Sequence, residues 1–228
     1  MSKTFWGILA AIVVVFGLAF ALTHKSGNNS SNTSSSAKPT EHIEGNGKTG
    51  VTLVEYGDYE CPYCEEYYPI VKQVVADEFN NITFQFRNFP LTSIHPNAFA
   101  GARAAEAAGL MGKFWQMHDT LYTYSNWTQW STSSNPVPFF DQYAKQLGLN
   151  LTTFEADFAS SKVNNMINAD MAAGNKLNIQ GTPTFFLDGK QISVAPKASA
   201  FETLINQAVA NKGKVSTTTS GTTSQTKK

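Results

Sequence analysis

Cys61 and Cys64 are the only cysteines in the chain, and they close the stretch VTLVEYGDYECPYC over residues 51–64. Two thiols at Cys-x-x-Cys spacing can exchange a disulfide with another molecule. A thiolate attacks a sulfur, a mixed disulfide forms, and a second thiol resolves it. The pair must therefore hold one ionised thiol and one close behind it. Structural zinc is the competing use of such a pair, but it takes four ligands. No second cysteine pair exists, and His42, His95 and His118 lack the close spacing of a histidine ligand pair. A surface pair with no chemistry is the remaining alternative. The context of a strand before the pair and a helix after it favours dithiol redox chemistry.

That context supplies the electrostatics. Residues 51–56 are β-branched or apolar enough for a strand covered on both faces. Pro62 suits the first position of a helix, where its missing N–H costs nothing, which puts Cys61 at the N-cap. Unpaired N–H groups and the positive end of the helix dipole there favour a thiolate, so Cys61 is the expected nucleophile. Cys64, one turn in, is the expected buried resolving thiol. Glu60, Glu65 and Glu66 act in the opposite sense, because nearby negative charge disfavours a thiolate. Glu55 is out of place in an apolar strand. Either it reaches solvent from the strand end, or it is buried with a raised pKa and exchanges a proton with Cys64.

The elements that must position these residues can be read in chain order. Charge is balanced, with 17 basic and 17 acidic side chains, which gives no reason to expect a nucleic-acid partner. Residues 5–22 carry no charge and would span about 27 Å as a helix, close to a bilayer core. They are expected to be a membrane anchor, with a cleaved signal peptide as the alternative, so that residues 1–23 export the remainder of the chain. Residues 24–40 are rich in Ser, Asn and Thr and read as a flexible linker. A helix is expected from Pro62, with Pro69 inside it, then a second strong strand over 82–89. Residues 95–178 turn helical in period, with five helices and a polar loop over 126–138, the fourth helix capped by Thr152 or Thr153. Strands return at 179–187 and 191–194 around an Asp188-Gly189 turn. A closing helix over 198–210 precedes a disordered tail over 213–228.

The expected fold is α/β: a thioredoxin fold from 41–94 and 179–212, with an all-helical domain over 95–178 inserted between the second and third core strands. In this order the sequence resembles the DsbA-like branch of the thioredoxin superfamily, exported bacterial thiol–disulfide oxidoreductases. The matching residues are Cys61-Pro62-Tyr63-Cys64, Phe89-Pro90-Leu91, His95-Pro96, Lys113-Phe114-Trp115, Met117-His118-Asp119 and Gly181-Thr182-Pro183-Thr184. The resemblance implies an acid at Glu55, a cis-proline at Pro183 and substrate contacts from Pro62, Tyr63, Thr182 and Pro183. Its best-known oxidase has histidine where Tyr63 stands. It implies that the Cys61–Cys64 disulfide is donated to reduced or unfolded exported proteins, with no cofactor beyond the disulfide. A quinone-linked membrane thiol oxidase would reoxidise it, and a monomer is expected. The alternatives are a disulfide reductase or isomerase, and a tethered peptide-binding module whose thiols do nothing.

Overall fold

The computed structural model describes residues 38–220, with side chains through Lys214. Five strands form one sheet: β1 (His42–Glu44), β2 (Val51–Gly57), β3 (Ile82–Asn88), β4 (Thr184–Leu187) and β5 (Lys190–Ile192). Their order is β1-β3-β2-β4-β5. The central strand β2 runs parallel to β3 and antiparallel to β4, so Glu55 faces Phe86 on one side and Phe185 on the other. Helix α1 (Pro62–Asp77) makes the crossover from β2 to β3. Such a parallel crossover needs a connection of this length. Asp188 and Gly189 both have positive φ, as a two-residue hairpin between β4 and β5 requires.

Between β3 and β4 lie α2 (Ala98–Leu110), α3 (Phe114–Tyr122), α4 (Tyr124–Trp130), α5 (Val137–Gln146), α6 (Leu151–Phe158) and α7 (Ser161–Lys176). α2 is buried on almost every side, which its alanines permit. Gly101 lets it approach closely: a Cβ there would sit 3.0 Å from both the Trp130 ring and Tyr59. α4 takes up the first part of the expected polar loop, and residues 131–136 are irregular as expected. In α4, Trp130 is fully buried and donates from Nε1 to the Leu121 carbonyl at 3.0 Å, and Trp127 donates to the Tyr59 carbonyl at 2.9 Å. Burial of the Trp130 indole and the anchoring of the half-buried Trp127 outweigh the polar composition around them. α6 is capped by Asn150, whose side chain accepts from Thr153 N, and not by either threonine. Asparagine is the stronger cap.

The final helix, α8, runs Ala198–Ser220, past the expected end at 210 and into the first part, 213–220, of the stretch expected to be a disordered tail. Extending an existing helix adds one hydrogen bond per residue fixed, and a single internal glycine such as Gly213 costs only about 1 kcal/mol. Thr40, assigned to the linker on composition, belongs to the folded body. It is buried, and its N and Oγ1 each donate to the Asp170 carboxylate at 2.7 Å. The expected membrane-spanning helix is corrected: among the described residues no helix is long and apolar enough to cross a membrane. Residues 5–22, on which that expectation fell, lie outside them, as do residues 24–37 and 221–228.

A buried polar cluster joins the sheet to the insert. Asn88 donates from its side chain to Glu106 at 2.6 Å and to Asp170 at 3.1 Å, and His42 Nε2 lies 2.8 Å from Glu106. The His42 ring also stacks on Phe114 at 3.4 Å. Glu106 and Asp170 are fully buried, so these bonds are what make their burial tolerable.

Candidate active site

α1 begins where the chain leaves β2. Cys61 is its N-cap, with extended backbone (φ −68°, ψ 123°) and Pro62 next, and no side chain caps the first turn. The N–H groups of that turn are thus free to face sulfur. Both thiols are free and both are buried, Cys61 3% exposed and Cys64 0%. Cys61 is therefore far less open than the sequence leads one to expect of an attacking thiol. Cys61 Sγ lies 3.4 Å from the Thr182 carbonyl, and the Asp58 N–H donates to Cys64 Sγ at 3.4 Å.

The two thiols are driven apart in acidity. Cys61 falls from its ordinary value near 9.0 to about 6, foremost because the Cys64 thiol donates to it. Burial opposes the shift, and the backbone N–H groups of Cys64 and Tyr63 add to it. The helix terminus thus helps but is not the main cause. Cys64 is pushed well up by burial and by its bond to Cys61. At neutral pH the pair is one thiolate and one thiol, as exchange chemistry needs.

The acids near the pair divide into three kinds. Glu55 is 4% exposed in β2, and burial, with the Cys61 charge second, raises it to about 8. It is a protonated acid at neutral pH. Glu60 is turned aside, its carboxylate accepting from Asn97 N at the start of α2. Asp58 is a hub. Its carboxylate accepts from Glu60 N, Leu91 N and His95 Nδ1, each at 2.8 Å. Nothing in the sequence marked it beyond its place just ahead of the pair, because its partner His95 is 37 residues away.

Thr182 and Pro183 stand across from the thiols, joined by a cis peptide bond. They line a groove of about 340 Å³ with Tyr63, Tyr67 and Val194. Tyr63 is 64% exposed at its mouth, and Pro62 is exposed beside it. The structure thus brings Cys61, Cys64, Glu55 and Thr182-Pro183 to one end of the sheet. Among the described residues no group of three or more His, Cys, Asp or Glu side chains is arranged to hold a metal.

Glu55 has a measurable consequence for stability. Its folded pKa near 8 exceeds its ordinary value of 4.5. The fold therefore has the full benefit of the neutral acid below pH 4.5 and loses it as pH rises towards 8. Glu55→Gln is expected to stabilise the reduced protein at pH 7 by ~2–3 kcal/mol. Urea unfolding from pH 4 to pH 9 checks this: the advantage should grow with pH and level off above 8. An advantage that does not vary with pH would mean that folding leaves the Glu55 pKa at its ordinary value.

Comparison with known proteins agrees with this architecture. Residues 37–207 match the family described as Thioredoxin. A thioredoxin-like oxidoreductase from Silicibacter pomeroyi superposes with a TM-score of 0.63 at 26% identity, over 75% of this chain and 93% of that one. The thiol-disulfide exchange protein alpha-DsbA2 from Wolbachia pipientis superposes with a TM-score of 0.62 at 19% identity, over 74% of this chain and 87% of that one. The Na(+)/H(+) antiporter NhaA 1 of Salinispora arenicola is 36% identical over 170 residues, which are 75% of this chain and 25% of that protein. The chain spans about a quarter of the length of the curated relatives it matches. With a matched family over most of its length, a five-stranded sheet and a helical insert ahead of Thr182-Pro183, the chain belongs to the thioredoxin family and has its DsbA-like disulfide-oxidoreductase fold.

Proposed function

We propose that the chain is an extracytoplasmic protein disulfide oxidoreductase that donates its Cys61–Cys64 disulfide to reduced exported proteins. A client thiolate attacks Cys61 Sγ and Cys64 leaves as a thiolate, taking a proton from neutral Glu55. A second client thiolate then attacks the client sulfur of the mixed disulfide and releases Cys61. The client loses two electrons and the pair gains them. A quinone-linked membrane thiol oxidase, the partner class carried by DsbA-like proteins, would take those two electrons and restore the disulfide. The groove beside Thr182 and Pro183 accepts the client backbone.

The placement of Cys61 at the N-cap of α1, where the Cys64 thiol lowers its pKa to about 6, supports this direction. A thiolate stabilised one pH unit below neutrality favours the reduced pair by about 1.4 kcal/mol at pH 7, which is about 30 mV for two electrons. The pair is thus expected to be a stronger oxidant than a thioredoxin-like pair near −270 mV, whose thiol ionises near 7, and a milder one than a pair whose thiol ionises near pH 3.5. Equilibration against a glutathione series measures it, together with oxidation of a reduced two-cysteine peptide by the disulfide form. A potential below about −270 mV would turn the reading to a reductase. A protein that binds the peptide without oxidising it is a binding module.

A further inference from the structure

His118 has no role in the thiol exchange, and its surroundings are unusual. It is buried in α3, with the rings of Tyr59, Phe86, Tyr122 and Trp115 around it at 4.8–5.6 Å between centroids. Its Nδ1 lies 3.3 Å from Asp119 Oδ1. A carboxylate only accepts, so Nδ1 carries the hydrogen and Nε2 is left a bare acceptor. That Nε2 is buried and has no partner, and the same holds for the hydroxyls of Tyr59 and Tyr122. Unpartnered buried polar atoms are uncommon, and three side by side call for a reason.

Beside His118 and Tyr122 is a cavity of about 10 Å³, on the order of the room that one water needs. Glu55, His118, Tyr122, Asp119 and Lys72 all line it. Asp119 and Lys72 form an ion pair at 2.5 Å, with side chains 31% and 44% exposed. One small space is thus shared by the acid beneath the thiols and a half-exposed charged pair.

We propose that His118 is a positioning and relay residue that passes protons between Glu55 and the surface pair Asp119–Lys72, through a water held in this cavity. The inference rests on the exchange reading above. When Cys64 leaves as a thiolate, it takes the Glu55 proton. Glu55 is then refilled from the water, which takes the Nε2 proton left on the ring by the preceding outward step, while Nδ1 regains a proton from the surface by way of Asp119. When the disulfide is re-formed, Cys64 gives a proton back and the path runs outward: Glu55 to water, water to Nε2, and Nδ1–H to Asp119. A full cycle sends one proton each way, so the ring returns to its starting tautomer without turning over in its aromatic cage.

The charged and titratable groups facing the ring suit this. Burial lowers the pKa of His118, so it is neutral at pH 7 and open to a proton, while Asp119 opposes that shift and Lys72 and His42 reinforce it. Tyr68 from α1 and Glu44 from β1 complete the polar edge of the cavity. Tyr59, Tyr68 and Tyr122 all have raised pKa values from burial and stay neutral.

The test uses His118→Phe, which keeps an aromatic ring in the cage and removes both nitrogens, and Asp119→Asn, which leaves the ring in place. Three quantities are measured on the full chain: peptide oxidation against pH, its solvent deuterium isotope effect, and the pH midpoint of Cys61 alkylation. Each variant is expected to oxidise peptide ~10-fold more slowly between pH 6 and 8, with a larger isotope effect, because one proton-transfer station is gone. The Cys61 midpoint should stay where it is. Wild-type rates and isotope effects in both variants would overturn the relay and leave His118 a packing residue. If His118→Phe fails to fold, Asp119→Asn alone decides between these outcomes. If the wild-type protein itself oxidises no peptide, it is the exchange reading that has failed.

Discussion

Cys64→Ser is expected to lose at least ~10³-fold in peptide oxidation and to collect mixed disulfides through Cys61. A resolving group one helical turn away acts at an effective concentration that can reach ~10⁵ M, whereas an external thiol is present at millimolar levels. The variant has no disulfide to donate, which ends peptide oxidation, and when its Cys61 thiolate attacks a client disulfide the adduct meets no internal thiol to resolve it. The substitution also separates two roles of Cys64. Its thiol is the largest cause of the low pKa of Cys61. A serine hydroxyl can still donate to the thiolate, but an alanine cannot. Cys64→Ser should therefore keep the Cys61 alkylation midpoint near 6, and Cys64→Ala should move it upward towards the ordinary value. Non-reducing gels and alkylation rates against pH read both effects. Equal midpoints in the two variants would show that the helix terminus, and not the Cys64 thiol, sets the acidity.

Asp58→Ala is expected to destabilise the fold by ~3–5 kcal/mol, the range for breaking a buried, hydrogen-bonded charge. The Asp58 side chain is fully buried, and its loss strips an acceptor from Glu60 N, Leu91 N and His95 Nδ1 together. Two of these donors are backbone groups of the loops on either side of the site, so the deletion loosens the turn that carries Cys61. For a chain of this size a melting temperature lower by ~10 °C is expected. Thermal unfolding of the reduced protein measures it, and a shift under 2 °C would mean that water replaces the carboxylate freely.

The chemistry was the most legible part of this sequence, because its residues form short motifs. The Cys61–Cys64 spacing, Glu55 in an apolar strand and Thr182-Pro183 ahead of another are each readable within a few positions. Strand and helix order was legible for the same reason, through local period. What could not be read were pairings across the chain. Asp58 needs His95, and Thr40 needs Asp170 at a separation of 130 residues. The linker boundary at 40 was drawn on composition, which cannot register a threonine satisfied by a helix so far away. The α4 helix was missed because its indoles are stabilised by Leu121 and Tyr59, outside the window that composition reads. The role of His118 was not legible, since its cage draws on the turn before Cys61, on α1 and on β3 as well as on its own helix.

The sheet order also bears on how the molecule is made. β1, β3 and β2, with α1 between them, are contiguous in sequence from residue 42 to 88, so half of the sheet and both thiols can assemble early. The other half waits. β4 joins β2 only after the six-helix insert has been synthesised, and Cys61 meets the Thr182 carbonyl across 121 residues. Closing so long a loop makes this pairing the slow step of assembly. A chain emerging from its N-terminus would thus carry a reactive thiol pair for some time before the wall that receives clients is built. During that interval the pair is open to any thiol nearby, and only the last strands restrict it to partners that fit the groove.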